Sequence, residues 1–167
     1  MLCLDKAVEQ FRELETNDPG AGMRLIWRCL SPEMLRPDYR AKHSAIKSQG
    51  RASHGLSRLG LRVFGHCKTA SVAYWLLMDG RDRSGSTALV LFKETMPDNQ
   101  LHFWLQAEHG GAPLDLTAAQ LSSQLYPHHN YNNGQPAPAS ILRKAKKHRI
   151  DPHTHKLLRR VIANLSD

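Results

Sequence analysis

An apolar run at residues 67–78, CKTASVAYWLLM, constrains the fold of this chain more than any other feature. The run follows a glycine, contains no glycine or proline of its own, and ends at Asp79-Gly80, a dipeptide that signals a turn. Twelve residues are more than most strands contain, so the length favours a buried helix. We therefore expect a central helix that the other elements of the domain cover.

The first turn of this predicted helix contains Cys67. The N-terminus of a helix carries partial positive charge and unpaired N–H groups, and both stabilise a thiolate. The N–H of Cys67 is also placed to donate to a developing oxyanion. The alternative is that Cys67 is only a small buried apolar side chain, as most free cysteines are.

Two predicted strands follow, and they carry an imidazole and a carboxylate. In residues 100–106 apolar side chains alternate with His102, Trp104 and Gln106, so one face is predicted to be core and the other to look outward. Residues 112–116 repeat the pattern around Asp115, and 109–111 between them are predicted to form a hairpin loop. An antiparallel pair would place His102 and Asp115 on the same sheet face, below the helix of Cys67. Alternatively, His102 is a surface residue and Asp115 only a turn or capping residue.

Three motifs in this order carry a resemblance: G-H-C at residues 65–67, H-F-W at 102–104 and L-D-L-T at 114–117. They are similar to the core of the transglutaminase-like group in the papain-like cysteine hydrolase superfamily. More closely, GHCKTAS, LHFW and LDLTAAQ resemble a family of small bacterial and phage proteins. That family has the motifs G-Q-C, H-Y-W or H-Y-Y, and D-L-T-x-x-Q. The resemblance covers residues 63–125 and implies a papain-like α+β fold.

Carried over residue by residue, the resemblance implies Cys67 as nucleophile, His102 as general base and Asp115 as the carboxylate that orients the base. It implies a thiol-dependent hydrolase or acyltransferase that acts on an amide bond of a protein or peptide-like substrate, in the manner of a peptidase or deamidase. Hydrolysis or deamidation is preferred over amide exchange because water is always present.

A second oxyanion donor is also expected, and His66 stands where the small family usually has glutamine. His66 is one candidate for this donor, and Gln49 and Gln106 are others. We expect Trp104 to wall the cleft, and the turn-rich loop at 126–140, which contains Tyr131, to lie near it. The predicted substrate-binding residues are therefore Trp104, His66, Gln106 and Tyr131.

The chain of 167 residues has the length of one domain. We expect a papain-like core at 63–125, a helical part at 1–62 and a basic helical part at 138–167. Hydrophobic content of 41% and charged content of 23% are typical of a soluble globular protein. No apolar stretch is long enough for a transmembrane helix, and no secretory signal is expected at the N-terminus. The cysteines Cys3, Cys29 and Cys67 form no disulfide framework, which predicts a reducing, cytoplasmic setting.

The remaining elements are predicted more coarsely. Helices are expected at 3–16 and 23–30, a loop or loosely helical segment at 38–62, a buried strand at 86–92 and a short helix at 117–125. Asp151-Pro152 is typical of the start of a helix, and we expect it to open the last one.

Positive charge is concentrated at the C-terminal end. Residues 141–167 contain eight Lys or Arg and two acids, so they contribute +6 of the net charge of +8. Such a segment attracts nucleic acid or an acidic protein, or else is a solvated helix face. The alternative function is accordingly a non-catalytic basic protein, nucleic-acid-binding or inhibitory, that retains the fold. The residues expected to bind such a partner are Arg143, Lys144, Lys146, Lys147, Arg159 and Arg160.

No cofactor or metal site is expected. The sequence has no nucleotide-binding glycine motif, no Cys-x-x-Cys and no H-E-x-x-H. The pairs His128-His129 and His153-x-His155 are weak metal signals because adjacent loop histidines rarely converge on one ion. A zinc site made of Cys67, His102 and Asp115 is the alternative, since zinc uses the same residue types.

Overall fold

The structure is a computed structural model that describes residues 4–127 and 129–165. Five helices come first, and three strands and two further helices follow. The helices are α1 Leu4–Asn17, α2 Ala21–Cys29, α3 Pro37–Gln49, α4 Arg58–Val63, α5 Cys67–Leu77, α6 Ser140–Lys146 and α7 Pro152–Leu165. The strands are β1 Leu89–Thr95, β2 Leu101–Ala107 and β3 Gln135–Pro136, and short 3-10 turns occupy Pro32–Met34, Arg51–His54 and Ala118–Gln120. The mixed α+β class with a small antiparallel sheet is as predicted.

The sheet has the order β2-β1-β3 and is antiparallel throughout. β1 and β2 pair along their whole length, from Leu89 opposite Ala107 to Thr95 opposite Leu101. The turn between them, at residues 96–100, is closed by Met96 N–H, which donates to the carbonyl of Gln100 at 2.7 Å. β3 adds only two residues to the outer edge of β1.

The apolar run predicted from the sequence forms the central helix α5, as expected. It packs against β2 on one side and against α1 and α7 on others. Its side chains are buried almost all round; the most completely buried of them are Ala70, Val72, Ala73, Tyr74 and Leu77. Burial on several faces explains why the run shows little amphipathic periodicity.

Three predicted segments differ from the structure. Residues 38–62, predicted as a loop or a loosely helical segment, are mostly the regular helices α3 and α4, because His43 and Ile46 give α3 a buried face. The strand predicted at 86–92 is β1, displaced toward Thr95, because Asp82 accepts hydrogen bonds from Ser84 and Thr87 and holds the preceding residues in a turn. The helix predicted at 117–125 is only the 3-10 turn Ala118–Gln120.

The second predicted strand of the hairpin, 112–116, is a single bridge. Leu105 and Leu114 exchange two backbone hydrogen bonds of 3.0 and 2.7 Å, and pairing goes no further. This bridge still places Asp115 beside β2, as the predicted hairpin also would.

The prediction that His102 and Trp104 look outward from β2 is wrong. His102 is 3% exposed and Trp104 is 0% exposed, whereas Leu101 on the predicted core face is 41% exposed. The reason is the loop at 129–137, which covers the supposed outer face: the ring of Tyr131 meets Trp104 edge-on with centroids 5.1 Å apart. At Gly134 the loop comes so close that a Cβ would lie 2.2 Å from the indole.

The last helix begins as predicted. Asp151 Oδ1 accepts the backbone N–H groups of His153 and Thr154, and Pro152 opens α7. The predicted first helix is α1, although Cys3, like His128 and Asp167, lies outside the described residues. Within residues 4–127 and 129–165, no helix combines the length and apolar character needed to cross a bilayer.

Candidate active site

The side chains of Cys67, His102 and Asp115 meet at one point of the fold. Cys67 is the first residue of α5, directly after a turn in which Gly65 has φ +79°. That backbone region disfavours a side chain, and a Cβ on Gly65 would also lie 2.9 Å from Tyr39. His102 is the second residue of β2, and Asp115 follows the bridge that Leu114 makes to the same strand.

Asp115 accepts hydrogen bonds on both carboxylate oxygens. Oδ2 accepts from His102 Nε2 at 2.6 Å and from the Tyr131 hydroxyl at 2.9 Å. Oδ1 accepts from the backbone N–H of Thr117 at 2.8 Å and from its hydroxyl at 3.1 Å. Burial favours the neutral acid, but these donors outweigh it and hold the pKa of Asp115 below its usual value.

His102 lies between this carboxylate and the thiol. Asp115 occupies Nε2, which leaves Nδ1 as the other ring nitrogen, and His102 and Cys67 border one small hollow. Burial alone lowers the pKa of His102, but the hydrogen bonds and charges of Asp115 and Cys67 prevail and raise it to about 10. The imidazolium form is therefore the stable one at neutral pH. The Trp104 indole is nearly parallel to the imidazole, with centroids 5.9 Å apart.

The start of α5 leaves unpaired donors beside the sulfur. No side chain caps this helix, and the N–H groups of Cys67, Lys68 and Thr69 have no partner among the described residues. The thiol itself contacts the Leu101 carbonyl, with 3.6 Å between sulfur and oxygen. Free N–H groups at a helix N-terminus stabilise negative charge, whether on a thiolate or on an oxyanion.

A chain of hydrogen bonds connects Asp115 to the turn before Cys67. The Thr117 hydroxyl accepts from Gln120 Nε2 at 2.7 Å, and Gln120 Oε1 accepts from the backbone N–H of Gly65 at 2.9 Å. Gln120 is 4% exposed. Asp115, Thr117 and Gln120 are the D, T and Q of D-L-T-x-x-Q, so this motif links the carboxylate to the nucleophile turn. The sequence contained the motif, but not the partner at Gly65.

Cys67 opens onto a groove of about 450 Å³. The groove lies between α3, the start of α5, the β1–β2 turn and the start of α7. Its apolar walls include Met34, Tyr39, Leu101 and Phe103. Its polar and charged lining residues are Arg36, Asp38, Lys68, Thr69, Asn99, Gln100, Asp151 and His153.

The four predicted substrate-binding residues do not line this groove. Trp104 is fully buried behind His102, and Tyr131 donates to Asp115, so both support the site from behind. Gln106 is engaged by its own loop, since its amide donates to the Gly111 carbonyl and accepts from Trp104 Nε1. These residues therefore lie outside the groove, because the loop at 129–137 covers the face of β2 that carries Trp104 and Gln106, and His66 is 1% exposed.

His66 is buried beside the nucleophile and faces no solvent. It is 1% exposed, and neither ring nitrogen has a hydrogen-bond partner among the described residues. Burial lowers the pKa of His66 to about 4, and His43 and His153 act in the same direction, so the ring is neutral at neutral pH. His66 is therefore not available as the second oxyanion donor.

Gln100 is the amide that the sequence analysis missed. It lines both the groove and a smaller hollow that also borders Cys67, and its buried Oε1 has no hydrogen-bond partner in the described part of the chain. Gln49, one of the earlier candidates, instead binds the His54 ring at 2.9 Å. No sequence motif marks Gln100, because its place depends on the tight turn at 96–100.

The predicted basic residues divide into two groups. Arg143, Lys144, Lys146 and Lys147 are exposed at α6. On α7, Arg160 donates to Ser31 and forms an ion pair with Glu33, so it holds the fold together instead of facing a partner. Arg159 is exposed on the same helix.

Among the residues that the structure describes, no group of three or more His, Cys, Asp or Glu is arranged to hold a metal ion. His102 Nε2 and Asp115 Oδ2 are hydrogen-bonded to each other at 2.6 Å, so these two atoms do not stand apart as two ligands of one zinc ion would. Comparison with models of protein families, with curated proteins and with solved structures finds no match to this chain.

Proposed function

We propose that this protein is a thiol-dependent acyl-transfer enzyme that cleaves an amide bond, with water as the usual acceptor. The observation that carries the proposal is the 2.6 Å contact of His102 with Asp115, in a ring that borders the same small hollow as Cys67. Such chemistry requires a nucleophile, a base that takes its proton and an acid that orients the base.

In the first half-reaction, the proton of the thiol already resides on His102, which is the imidazolium, and the Cys67 sulfur attacks the amide carbonyl carbon. The carbonyl oxygen becomes an oxyanion, held by the free N–H of Cys67 and by the Gln100 amide. The His102 imidazolium then gives its proton to the leaving nitrogen, the C–N bond breaks, and an acyl thioester remains on Cys67.

In the second half-reaction, His102 takes a proton from water, and the hydroxide attacks the thioester carbonyl. The C–S bond breaks, a carboxylic acid leaves, and the proton taken from water stays on His102 beside the Cys67 sulfur, which restores the starting pair. Asp115 stabilises the imidazolium in both halves and fixes the ring through Nε2. Trp104 and Tyr131 exclude water from the rear of the ring pair.

Iodoacetamide labelling tests the proposal without a known substrate. At about pH 6 we expect Cys67 to be alkylated at least ~10-fold faster than Cys29, because the paired thiolate is the reactive species. Burial raises the pKa of Cys29, which makes it a slow internal reference. His102→Ala is expected to bring Cys67 down to the rate of Cys29. Equal, slow labelling of both cysteines in the wild-type protein would reject the proposal.

A second candidate is a non-catalytic basic binding or inhibitor protein with the same fold. The exposed residues of α6, Arg143, Lys144, Lys146 and Lys147, favour it. It predicts partner binding that depends on α6 and is unchanged by Cys67→Ala, together with unselective labelling of the two cysteines.

A further inference from the structure

A depression lined by basic residues adjoins the groove at Cys67. This depression of about 220 Å³ lies between α5, α6 and the start of α7, and both Lys144 and Arg149 line it. Lys68 and Asp151 line this depression and also the groove. The two hollows therefore meet at Lys68, the residue that directly follows Cys67.

Lys68, Lys144 and Arg149 form what we call the basic border. All three are exposed, and none has an ion-pair partner within residues 4–127 and 129–165. Lys156 on α7, by contrast, pairs with Glu33 at 3.0 Å. The positive charge of the basic border is thus left for a partner outside the described chain.

The acidic residue at the junction, Asp151, does not neutralise this charge. Its Oδ1 caps α7 by accepting the N–H groups of His153 and Thr154, and its Oδ2 accepts the Thr154 hydroxyl. A carboxylate in this position is committed to the positive end of its own helix.

We propose that the basic border binds an acidic segment of a polypeptide and presents the adjoining amide group to Cys67. The proposal rests on the proposed function, because it assigns a substrate class to the same groove. The groove supplies apolar walls at Leu101 and Phe103 for the side chain next to the reacting amide. The basic border supplies cations for carboxylates further along the same segment.

The lining of the two hollows favours a polypeptide over a nucleic acid. Proteins that bind single-stranded nucleic acid combine a positive groove with aromatic side chains on which bases stack. Leu101 is the exposed large apolar side chain among the described residues, and the aromatic walls of the groove, Tyr39 and Phe103, are half-buried or buried. A positively charged surface without exposed aromatic side chains is suited to bind the flexible carboxylates of an acidic polypeptide.

Fluorescence anisotropy of labelled probes tests the proposal on the full chain carrying Cys67→Ala, so that turnover does not interfere. The probes are short poly-L-glutamate, poly-L-glutamine and oligo(dT). We expect poly-L-glutamate to bind most tightly, with affinity that falls as salt rises. Lys144→Glu with Arg149→Glu is expected to weaken it about 10-fold or more at low salt. Lys6→Glu with Arg58→Glu, exposed positions that line neither hollow, changes the net charge equally and is expected to weaken it far less.

In the protein with its thiol intact, bound poly-L-glutamate is expected to slow iodoacetamide labelling of Cys67 and not that of Cys29. Three results would overturn the proposal: no binding of poly-L-glutamate, an equal loss in both double variants, or tighter and border-dependent binding of oligo(dT). Failure of the proposed function is seen separately, as slow labelling of Cys67 when no probe is present.

Discussion

Replacing Asp115 with Asn separates the charge of this carboxylate from its shape. All four partners of Asp115 donate hydrogen bonds to it, so the amide nitrogen of Asn must face at least one donor. The side chains of Asp115 and His102 are only 3% and 4% exposed, so solvent screens their pairing little. The variant leaves a buried imidazole without its counter-charge.

The size of the expected destabilisation follows from the pKa of His102. Its pKa is about 10 in the folded protein, against about 6.5 in an unfolded chain, and such a difference amounts to about 5 kcal/mol at most. Cys67 contributes part of it, and Asn restores one neutral hydrogen bond of about 1 kcal/mol. We therefore expect Asp115→Asn to lower the free energy of unfolding by roughly 3 kcal/mol at about pH 6.

The sign of the pH dependence is fixed by the two pKa shifts. The raised pKa of His102 gives stability that is fully present below about pH 6.5 and lost as pH rises through about 10. The lowered pKa of Asp115 gives stability that is present above about pH 4 and lost in more acid solution. The difference between wild type and variant should thus be greatest between about pH 4 and 6.5, and shrink toward pH 10.

Urea unfolding at several pH values measures this difference, and Tyr131→Phe is the matched control. Phe removes a hydrogen bond to the same oxygen without changing any charge. Burial and Asp115 raise the pKa of Tyr131, so its hydroxyl donates throughout this range. We expect a loss of about 1–2 kcal/mol that is independent of pH. A difference for Asp115→Asn that stays constant from about pH 6 to 10 would refute the coupling of His102 to Asp115.

Two further predictions concern amides near the thiol. Gln100→Ala should slow acylation of Cys67 by p-nitrophenyl acetate about 10²–10³-fold and leave iodoacetamide labelling unchanged, because only acylation forms an oxyanion. Asn99→Gly is the control, because glycine keeps the φ of +61° at this position, and equal effects of both variants would contradict the role of Gln100. Gln120→Ala should cost about 2–3 kcal/mol in urea unfolding and also slow labelling of Cys67, because it leaves the N–H of Gly65 without its acceptor. Unchanged labelling would show that Gln120 only stabilises the fold.

Patterns of neighbouring residues correctly predicted those secondary-structure elements that neighbouring residues determine. The apolar run gave α5, and Asp151-Pro152 gave the start of α7, because length, composition and capping chemistry are readable along the chain. The motifs around Cys67, His102 and Asp115 predicted that these side chains meet, and the fold brings them together through α5, β2 and one bridge.

Features that depend on distant segments could not be predicted in this way. The alternation in β2 indicated an outward face, but the loop at 129–137 covers it, so Trp104 is buried and Tyr131 meets Asp115 instead of substrate. The groove is formed by α3, the β1–β2 turn and the start of α7, which are far apart in the chain. Gln100 carries no motif, and its position becomes visible only when that turn is in place.

The pairing of His102 with Asp115 and the contact of Cys67 with β2 differ in how far apart the paired residues lie along the chain. Thirteen residues separate His102 from Asp115, whereas 34 separate Cys67 from Leu101, the β2 residue whose carbonyl it contacts. Closing a short loop costs less chain entropy than closing a long one, and local contacts form sooner during folding. We therefore expect the imidazole and the carboxylate to come together earlier in folding than the sulfur, which joins them when α5 docks on β2.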